Sequence, residues 1–153
     1  MKKTNLILGT AQFGSKYGVT NKNGQVSLET AMKIFDFCKA NNINYLDSAQ
    51  SYGNSEKIIG KALNKKNDFK IFSKIKKIKN KFIRKKDIEN LENEFYSSCK
   101  NLGLEKIYGL FIHSINDIKK GNNSLIYDWL ENLKERNLIQ KIGISIFRLY
   151  RSK

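Results

Sequence analysis

The chain has 153 residues, of which 29 are Lys or Arg and 14 are Asp or Glu, so its formal charge at neutral pH is +15. Apolar residues make up 40% and aromatic residues 11%, which is enough core material for one domain and excludes a disordered polymer. One histidine and two cysteines without a Cys-x-x-Cys pair exclude a structural metal site and a disulfide framework.

Neither the amino terminus nor any internal segment predicts export or membrane insertion. The apolar run after residues 1–3 ends at Gly9, which is too short for a signal peptide. No apolar stretch approaches the ~20 residues that cross a bilayer. We therefore expect a cytoplasmic protein with reduced thiols. Cys38 and Cys99 lie on the apolar faces of predicted helices, where core packing accounts for them.

The apolar pattern predicts five short strands that alternate with four helices. The predicted strands are 6–8, 43–46, 69–73, 107–112 and 142–144. The predicted helices begin near Ser27, Asn54, Asp87 and Ser124, where Ser27 and Asn54 are candidate caps. Each helix carries apolar residues at spacings of three and four, and Gly103 is predicted to end the third.

Strands separated by helices of this length predict a parallel α/β sheet. Polar residues stand at the carboxyl ends of four successive predicted strands: Asp47, Lys74, His113 and Ser145. A (β/α)8 TIM barrel gathers its chemistry from many strand ends at one mouth, whereas a doubly wound sheet places ligands at one switch point. The first strand is also followed by no Gly-x-Gly-x-x-Gly sequence. The pattern therefore favours the barrel.

The positive charge is concentrated between residues 61 and 86, where Asp68 is the acidic exception. Such a run can bind phosphate backbones. It has few aromatic side chains to stack on bases, however, and Arg84 is its one arginine. The absence of proline and the abundance of Lys, Asn and Ile are typical of AT-rich coding sequence. A solvated basic surface, which also suits an anionic cofactor or substrate, is therefore favoured over a nucleic-acid site.

The segment 47–63 has the spacing D-x-A-x-x-Y-G-x-x-E-x-x-x-G-x-A-L. It resembles the signature region of the aldo/keto reductase superfamily. Lys74 in the sequence FSK and His113 in the sequence LFIHS occupy the places where that family keeps a lysine and a histidine. The resemblance implies a truncated barrel of about (βα)4β and reversible reduction of an aldehyde or ketone with NADPH/NADP.

The implied catalytic residues are Tyr52, Lys74, Asp47 and His113. Reduction leaves charge on the carbonyl oxygen, so a proton donor must stand beside it, and a free phenol is a poor acid near neutral pH. The ammonium of Lys74 is expected to stabilise the ionised form of Tyr52, while Asp47 pairs with Lys74. His113 is expected to hydrogen-bond the carbonyl oxygen and orient it.

The resemblance also implies contacts to the cofactor. Thr10, Asp47 and Ser145 are the candidates, with Thr10 and Ser145 assigned to the nicotinamide end. No metal and no membrane are implied, and the partner is a small carbonyl substrate.

The length departs from the family pattern, because a complete barrel takes about 250 residues. Residues 1–153 are therefore interpreted as the amino-terminal portion of a single barrel domain, and residues 147–153 contain no recognisable helix start. Three functions stay open: a reductase in shortened form, an inactive remnant or partner subunit that contributes half a barrel, and a basic binder of nucleic acid or another anionic surface. We expect the chain alone to be inactive and to self-associate through exposed sheet edges.

Overall fold

The structure is a computed structural model that describes residues 6–64 and 69–146. Part of the predicted basic run, Lys65, Lys66 and Asp68, lies outside the described residues, as does the segment 147–153.

Five strands form one parallel sheet: β1 Ile7–Gly9, β2 Tyr45–Asp47, β3 Lys70–Ile75, β4 Ile107–Ile112 and β5 Ile139–Ile144. Their order in the sheet is the order in the chain, 1-2-3-4-5. This consecutive order is that of a (β/α)8 barrel, since a doubly wound sheet reverses its order at a switch point. The predicted α/β fold class is confirmed, with the chain forming (βα)4β of the barrel.

The helices are α1 Ala11–Gly14, α2 Leu28–Ala40, α3 Ser55–Leu63, α4 Lys85–Leu102 and α5 Ser124–Glu135, and a short 3-10 helix spans Asp117–Lys119. Ser27 caps α2 as predicted, because its Oγ accepts from the backbone N–H of Thr30 at 3.1 Å. Gly103 ends α4 as predicted, in the left-handed region at φ +69°. Glycine adopts that conformation without steric cost.

Two sequence predictions about these elements are wrong, and one helix, α1, was not predicted. Asn54 makes no side-chain cap bond to α3, because the preceding turn already supplies an acceptor, the carbonyl of Tyr52, for the first backbone N–H of the helix. Strand β5 begins at Ile139 rather than 142, since Ile139 is buried and pairs with Ile107 while the exposed Gln140 and Lys141 hide the apolar pattern. The four-residue helix α1 is too short to show a periodicity.

One face of the sheet packs against the helices and forms the core. It buries Leu46, Ile71, Leu110 and Ile112 from the strands and Phe35, Ile59, Phe95 and Leu130 from the helices. Cys38 and Cys99 are buried in this layer as predicted. Burial raises the pKa of the Cys38 thiol, and burial together with the charge of Glu56 raises the pKa of Cys99 to about 11, so both thiols stay protonated.

The opposite face of the sheet carries aromatic and polar side chains. The ring of Phe72 lies across Gly109 of the next strand, and the ring of Phe111 lies across Gly143 of the strand after that. The two rings also contact each other, with centroids 4.9 Å apart. A Cβ at either glycine would collide with the neighbouring ring, so small residues here let large ones cover the sheet. Side chains alternate between faces, which places Lys74 on the same face as Phe72.

Within the described ranges, no helix is long and apolar enough to span a bilayer. The cytoplasmic location stays a prediction.

Candidate active site

Parallel strands bring the predicted polar residues to one edge of the sheet. Asp47 is the last residue of β2, Lys74 is the penultimate residue of β3, and His113 follows β4 directly. The register pairs Asp47 with Phe72 and Phe72 with Gly109, so Lys74 lies two residues and His113 four residues beyond the level of Asp47, at the same end of the sheet. Strand direction alone therefore collects side chains that are far apart in the chain.

Lys74 is the centre of the site and is only 4% exposed. Its Nζ lies 2.6 Å from Asp47 Oδ1, 2.8 Å from the carbonyl oxygen of Ser48 and 3.3 Å from the hydroxyl of Tyr52. An ammonium has three donors, and these three acceptors match them. Nζ also lies 4.9 Å from the centroid of the Tyr52 ring. Three of the four predicted catalytic residues are thus in direct contact.

The turn that carries Tyr52 rests on α1 through two glycines. Gly53 has φ +57°, and a Cβ on it would collide with the carbonyl oxygen of Gly14. A Cβ on Gly14 would collide in turn with the carbonyl oxygen of Tyr52. The two backbones therefore touch where no side chain fits, which fixes the half-buried Tyr52 above Lys74.

His113 faces the same phenol. Its ring stands perpendicular to that of Tyr52 with centroids 6.4 Å apart, and its Nδ1 lies 3.4 Å from Ser51 Oγ. Burial, and next the positive charge of Lys74, hold the pKa of His113 below its usual value of 6.5, although Asp47 and Asp117 act in the opposite sense. The imidazole is therefore neutral at neutral pH and carries one N–H donor.

The predicted cofactor contacts have different surroundings. Thr10 is fully buried, and its hydroxyl donates to the carbonyl oxygen of Asp47 at 3.0 Å, so it holds the end of β2. Ser145 is half-buried just beyond β5, where its backbone N–H donates to Ile112 at 2.8 Å. Asp47 offers a partly exposed carboxylate, with 34% of its side chain accessible. Contacts from these residues to a cofactor stay predictions.

Several residues near the site were not found from the sequence. The carbonyl of Ser48 accepts from Lys74, Ser51 Oγ contacts His113, and the backbone N–H of Ser55 donates to Tyr52. On the opposite face of the sheet from Lys74, Glu56 Oε1 accepts from Ser73 Oγ at 2.8 Å. All of these residues except Ser73 lie inside the signature segment 47–63, and that segment is the sequence signal from which they could have been found. Their roles depend on which way each side chain points, and spacing does not report that.

The basic residues after β3 line one side of an open cavity of about 470 Å³, which also includes the carboxylates of Asp87 and Glu94. Lys77, Lys79 and Lys81 are exposed, while Lys76 pairs with Glu94 at 3.1 Å. Where the chain is described, no group of three or more His, Cys, Asp or Glu side chains is placed to hold a metal ion. Both the preference for a solvated basic surface and the absence of a metal stay predictions.

A consecutive parallel sheet with an Asp, Tyr, Lys and His cluster at its carboxyl edge defines a protein of the barrel class with its site at the strand ends. Residues 5–151 match the Aldo/keto reductase family. The chain belongs to that family.

Solved structures agree on the fold. A candidate aldo-keto reductase from Pseudomonas aeruginosa is 26% identical with a TM-score of 0.74, and the match covers 91% of this chain and 54% of that one. An aldo-keto reductase from Bacillus halodurans, in its holo form, is 22% identical with a TM-score of 0.70, covering 94% and 46%. The chain spans about half the length of these structures. No curated protein matches it significantly. The interpretation of this chain as the amino-terminal portion of a single barrel domain stays a prediction.

Proposed function

We propose that the chain supplies the proton-donating half of a reductase that uses NADPH to convert an aldehyde or ketone into an alcohol. The observation that carries the proposal is the position of Lys74 Nζ, 2.6 Å from Asp47 and 3.3 Å from the Tyr52 hydroxyl. Membership of the aldo/keto reductase family supports the same reaction class.

Tyr52 is the proposed proton donor. The ammonium of Lys74 stabilises the phenolate that remains after the proton has moved to the substrate oxygen. Asp47 balances the charge of Lys74 and holds its Nζ in place. Because the carbonyl oxygen of Ser48 is the third acceptor, Lys74 has no freedom to turn away from the phenol.

His113 is proposed to orient the substrate. As a neutral imidazole it can donate one N–H to a carbonyl oxygen, and the perpendicular contact of its ring with the ring of Tyr52 supports this role beside the phenol. A charged imidazolium at this position would be repelled by Lys74.

The residues present fit the nicotinamide end of the cofactor. Lys74 occupies Oδ1 of Asp47, and the partly exposed carboxylate has a second oxygen that can accept a hydrogen bond. Asp47 and the half-buried Ser145 would hold the nicotinamide end of the cofactor. NADPH, when it is bound, would supply the hydride. The hydroxyl of Thr10 already donates to Asp47, so Thr10 would act through the backbone of β2.

The test compares the chain alone with the chain joined, after residue 145, to the part of the Pseudomonas aeruginosa relative that lies beyond the match. Oxidation of NADPH is followed with a panel of aldehydes and ketones. We expect the joined protein to turn over, and Tyr52→Phe to lower kcat about 100-fold or more while NADPH affinity changes less than about twofold. Tyr127→Phe, on the exposed face of α5, is the matched control. Equal turnover by Tyr52→Phe would remove Tyr52 from the reaction.

A further inference from the structure

Three buried hydroxyl groups meet directly behind the groups that hold Lys74. Ser55 Oγ lies 2.9 Å from Thr10 Oγ1 and 3.3 Å from Ser48 Oγ, and all three residues are fully buried. Ser55 Oγ also lies 2.9 Å from the carbonyl oxygen of Thr10. The hydroxyls come from the residue after β1, the residue after β2 and the first turn of α3. This hydroxyl cluster therefore joins three elements at one point.

The hydroxyl cluster reaches Lys74 through one peptide group. Thr10 donates to the carbonyl oxygen of Asp47 twice, from its backbone N–H and from Oγ1, each at 3.0 Å. That carbonyl belongs to the peptide bond between Asp47 and Ser48. The same two residues provide the carboxylate and the carbonyl that accept from Lys74 at 2.6 and 2.8 Å. Holding this peptide restrains the backbone of both residues that supply the acceptors.

The same serine also ends the turn that carries the phenol, because the backbone N–H of Ser55 donates to the carbonyl oxygen of Tyr52 at 3.1 Å. We propose that Ser55 is a positioning residue that sets the separation between Lys74 Nζ and the Tyr52 hydroxyl from both sides. The inference rests on the proposed function in that Lys74 and Tyr52 are taken as the pair that moves the proton.

An alanine at position 55 would remove the hydroxyl partner of Ser48 Oγ and the donor to Thr10 Oγ1, which would keep only its own bond to Asp47. Thr10 and Ser48 are at zero exposure, so water does not replace the lost bond without movement of the strand ends. Ser98 provides the matched control, because it is a helical serine at 1% exposure whose Oγ has no hydrogen-bond partner. Ser55→Ala and Ser98→Ala each remove one hydroxyl from a buried site. Only the Ser55 hydroxyl makes hydrogen bonds there, so the difference between the two variants reports on those bonds.

The single histidine of the chain gives a readout that needs no catalysis. The charges that act on His113 are those of Lys74, Asp47 and Asp117, and its ring faces Tyr52 and Ser51. The titration midpoint of the His113 ring is measured by NMR in the full chain. Lys74→Met removes the positive charge and is expected to raise the midpoint, which defines the reference shift.

If Ser55 positions Lys74, Ser55→Ala moves the His113 midpoint in the direction of Lys74→Met by more than ~0.1 pH unit, and Ser98→Ala leaves it unchanged. In the joined protein, kcat falls about tenfold while KM stays within about twofold. Should Ser55→Ala fail to fold, Thr10→Val keeps the side-chain shape, removes the hydroxyl bond to Asp47 and is expected to give the same shift.

An unchanged midpoint in Ser55→Ala, beside a shifted one in Lys74→Met, would overturn the proposal. So would an equal shift in Ser98→Ala, or no shift in Lys74→Met. Absence of turnover in every arm would contradict the proposed function and leave the titration experiment intact, so the two failures are distinguishable.

Discussion

At the scale of single residues, Lys74 shows how burial changes the worth of an ion pair. Its contact with Asp47 and the exposed contact of Lys33 with Glu29 have similar N···O distances, 2.6 and 2.7 Å. Only 5% of the Lys74 side chain is accessible, against 74% for Lys33. A solvated pair is screened by water and contributes little, whereas loss of a buried partner leaves a charge unpaired.

We therefore expect Lys74→Met to lower the free energy of unfolding by about 1–3 kcal/mol, less than for a fully buried pair because Asp47 is partly exposed. Lys33→Met is expected to change it by less than about 0.5 kcal/mol. Urea denaturation of both variants measures the difference. Equal losses would show that burial of the Lys74 pair has no energetic consequence.

The lowered pKa of His113 makes stability depend on pH. Its folded-state pKa lies below the unfolded value of 6.5, so the unfolded chain binds the proton more tightly. The contribution of the neutral ring is fully present above about pH 6.5 and is lost as pH falls through the folded-state pKa. We expect the denaturation midpoint to fall more between pH 7 and 5.5 for the native chain than for His113→Gln. Parallel pH profiles of the two proteins would contradict this prediction.

At the scale of elements, the contact between α3 and α4 depends on a missing side chain. Gly60 lies in the middle of α3, and a Cβ there would collide with the backbone oxygen of Asn101 and stand 3.0 Å from the carbonyl carbon of Leu102. The close approach of the two helices is therefore built on this glycine rather than on interdigitating side chains.

Gly60→Ala separates helix propensity from packing. Propensity alone would stabilise α3 by about 1 kcal/mol, but the overlap with the backbone of α4 is rigid and costs about 1–3 kcal/mol or more. We expect net destabilisation, measured by thermal or urea unfolding. Ser97→Ala, on the exposed face of α4, is the control and should be neutral or slightly stabilising. A more stable Gly60→Ala would show that the helices can move apart freely.

Helices α4 and α5 are joined by polar contacts between side chains, unlike the close backbone contact between α3 and α4. Glu92 accepts from Arg136 Nη1 at 2.9 Å and from the indole N–H of Trp129. Burial alone would raise the pKa of Glu92, but the bonds from Arg136 and Trp129 outweigh it and hold that pKa below its usual value. The two outer helices are thus coupled through an ionised carboxylate at neutral pH.

At the scale of the whole molecule, the described sheet has two open edges. Strands β1 and β5 each pair on one side only within the described residues. Ile7 is 53% exposed, Ile144 39% and Ile146 68%. Unpaired edges beside exposed apolar side chains are templates for association between copies.

We expect the purified chain to associate above its monomer mass of 17.7 kDa in a concentration-dependent way. Replacing Ile7 and Ile144 by Lys should weaken the association, because charges on edge strands oppose pairing. Val19→Lys is the control, since Val19 is fully exposed and lies outside the strands. Light scattering measures the mass, and a monomer at all concentrations would contradict the expectation.

The sequence by itself determined the alternation of elements and which of the predicted polar residues share one edge of the sheet. Helix periodicity is a local property, so α2, α4 and α5 could be read from apolar spacing, and Gly103 from its position after the last apolar residue. Strand direction in a parallel sheet is also fixed once the strands alternate with helices. That is why Asp47, Lys74 and His113 could be placed at one edge.

Only the tertiary structure decided how those residues are held. Thr10 turns its hydroxyl into the protein, Ser55 joins three elements, and Gly14 touches Gly53, all through contacts between segments distant in the chain. The sequence separates Thr10 from Asp47 by 37 positions, so nothing local reports their bond. Spacing identifies which residues share a sheet edge, whereas side-chain direction and backbone approach depend on packing in three dimensions.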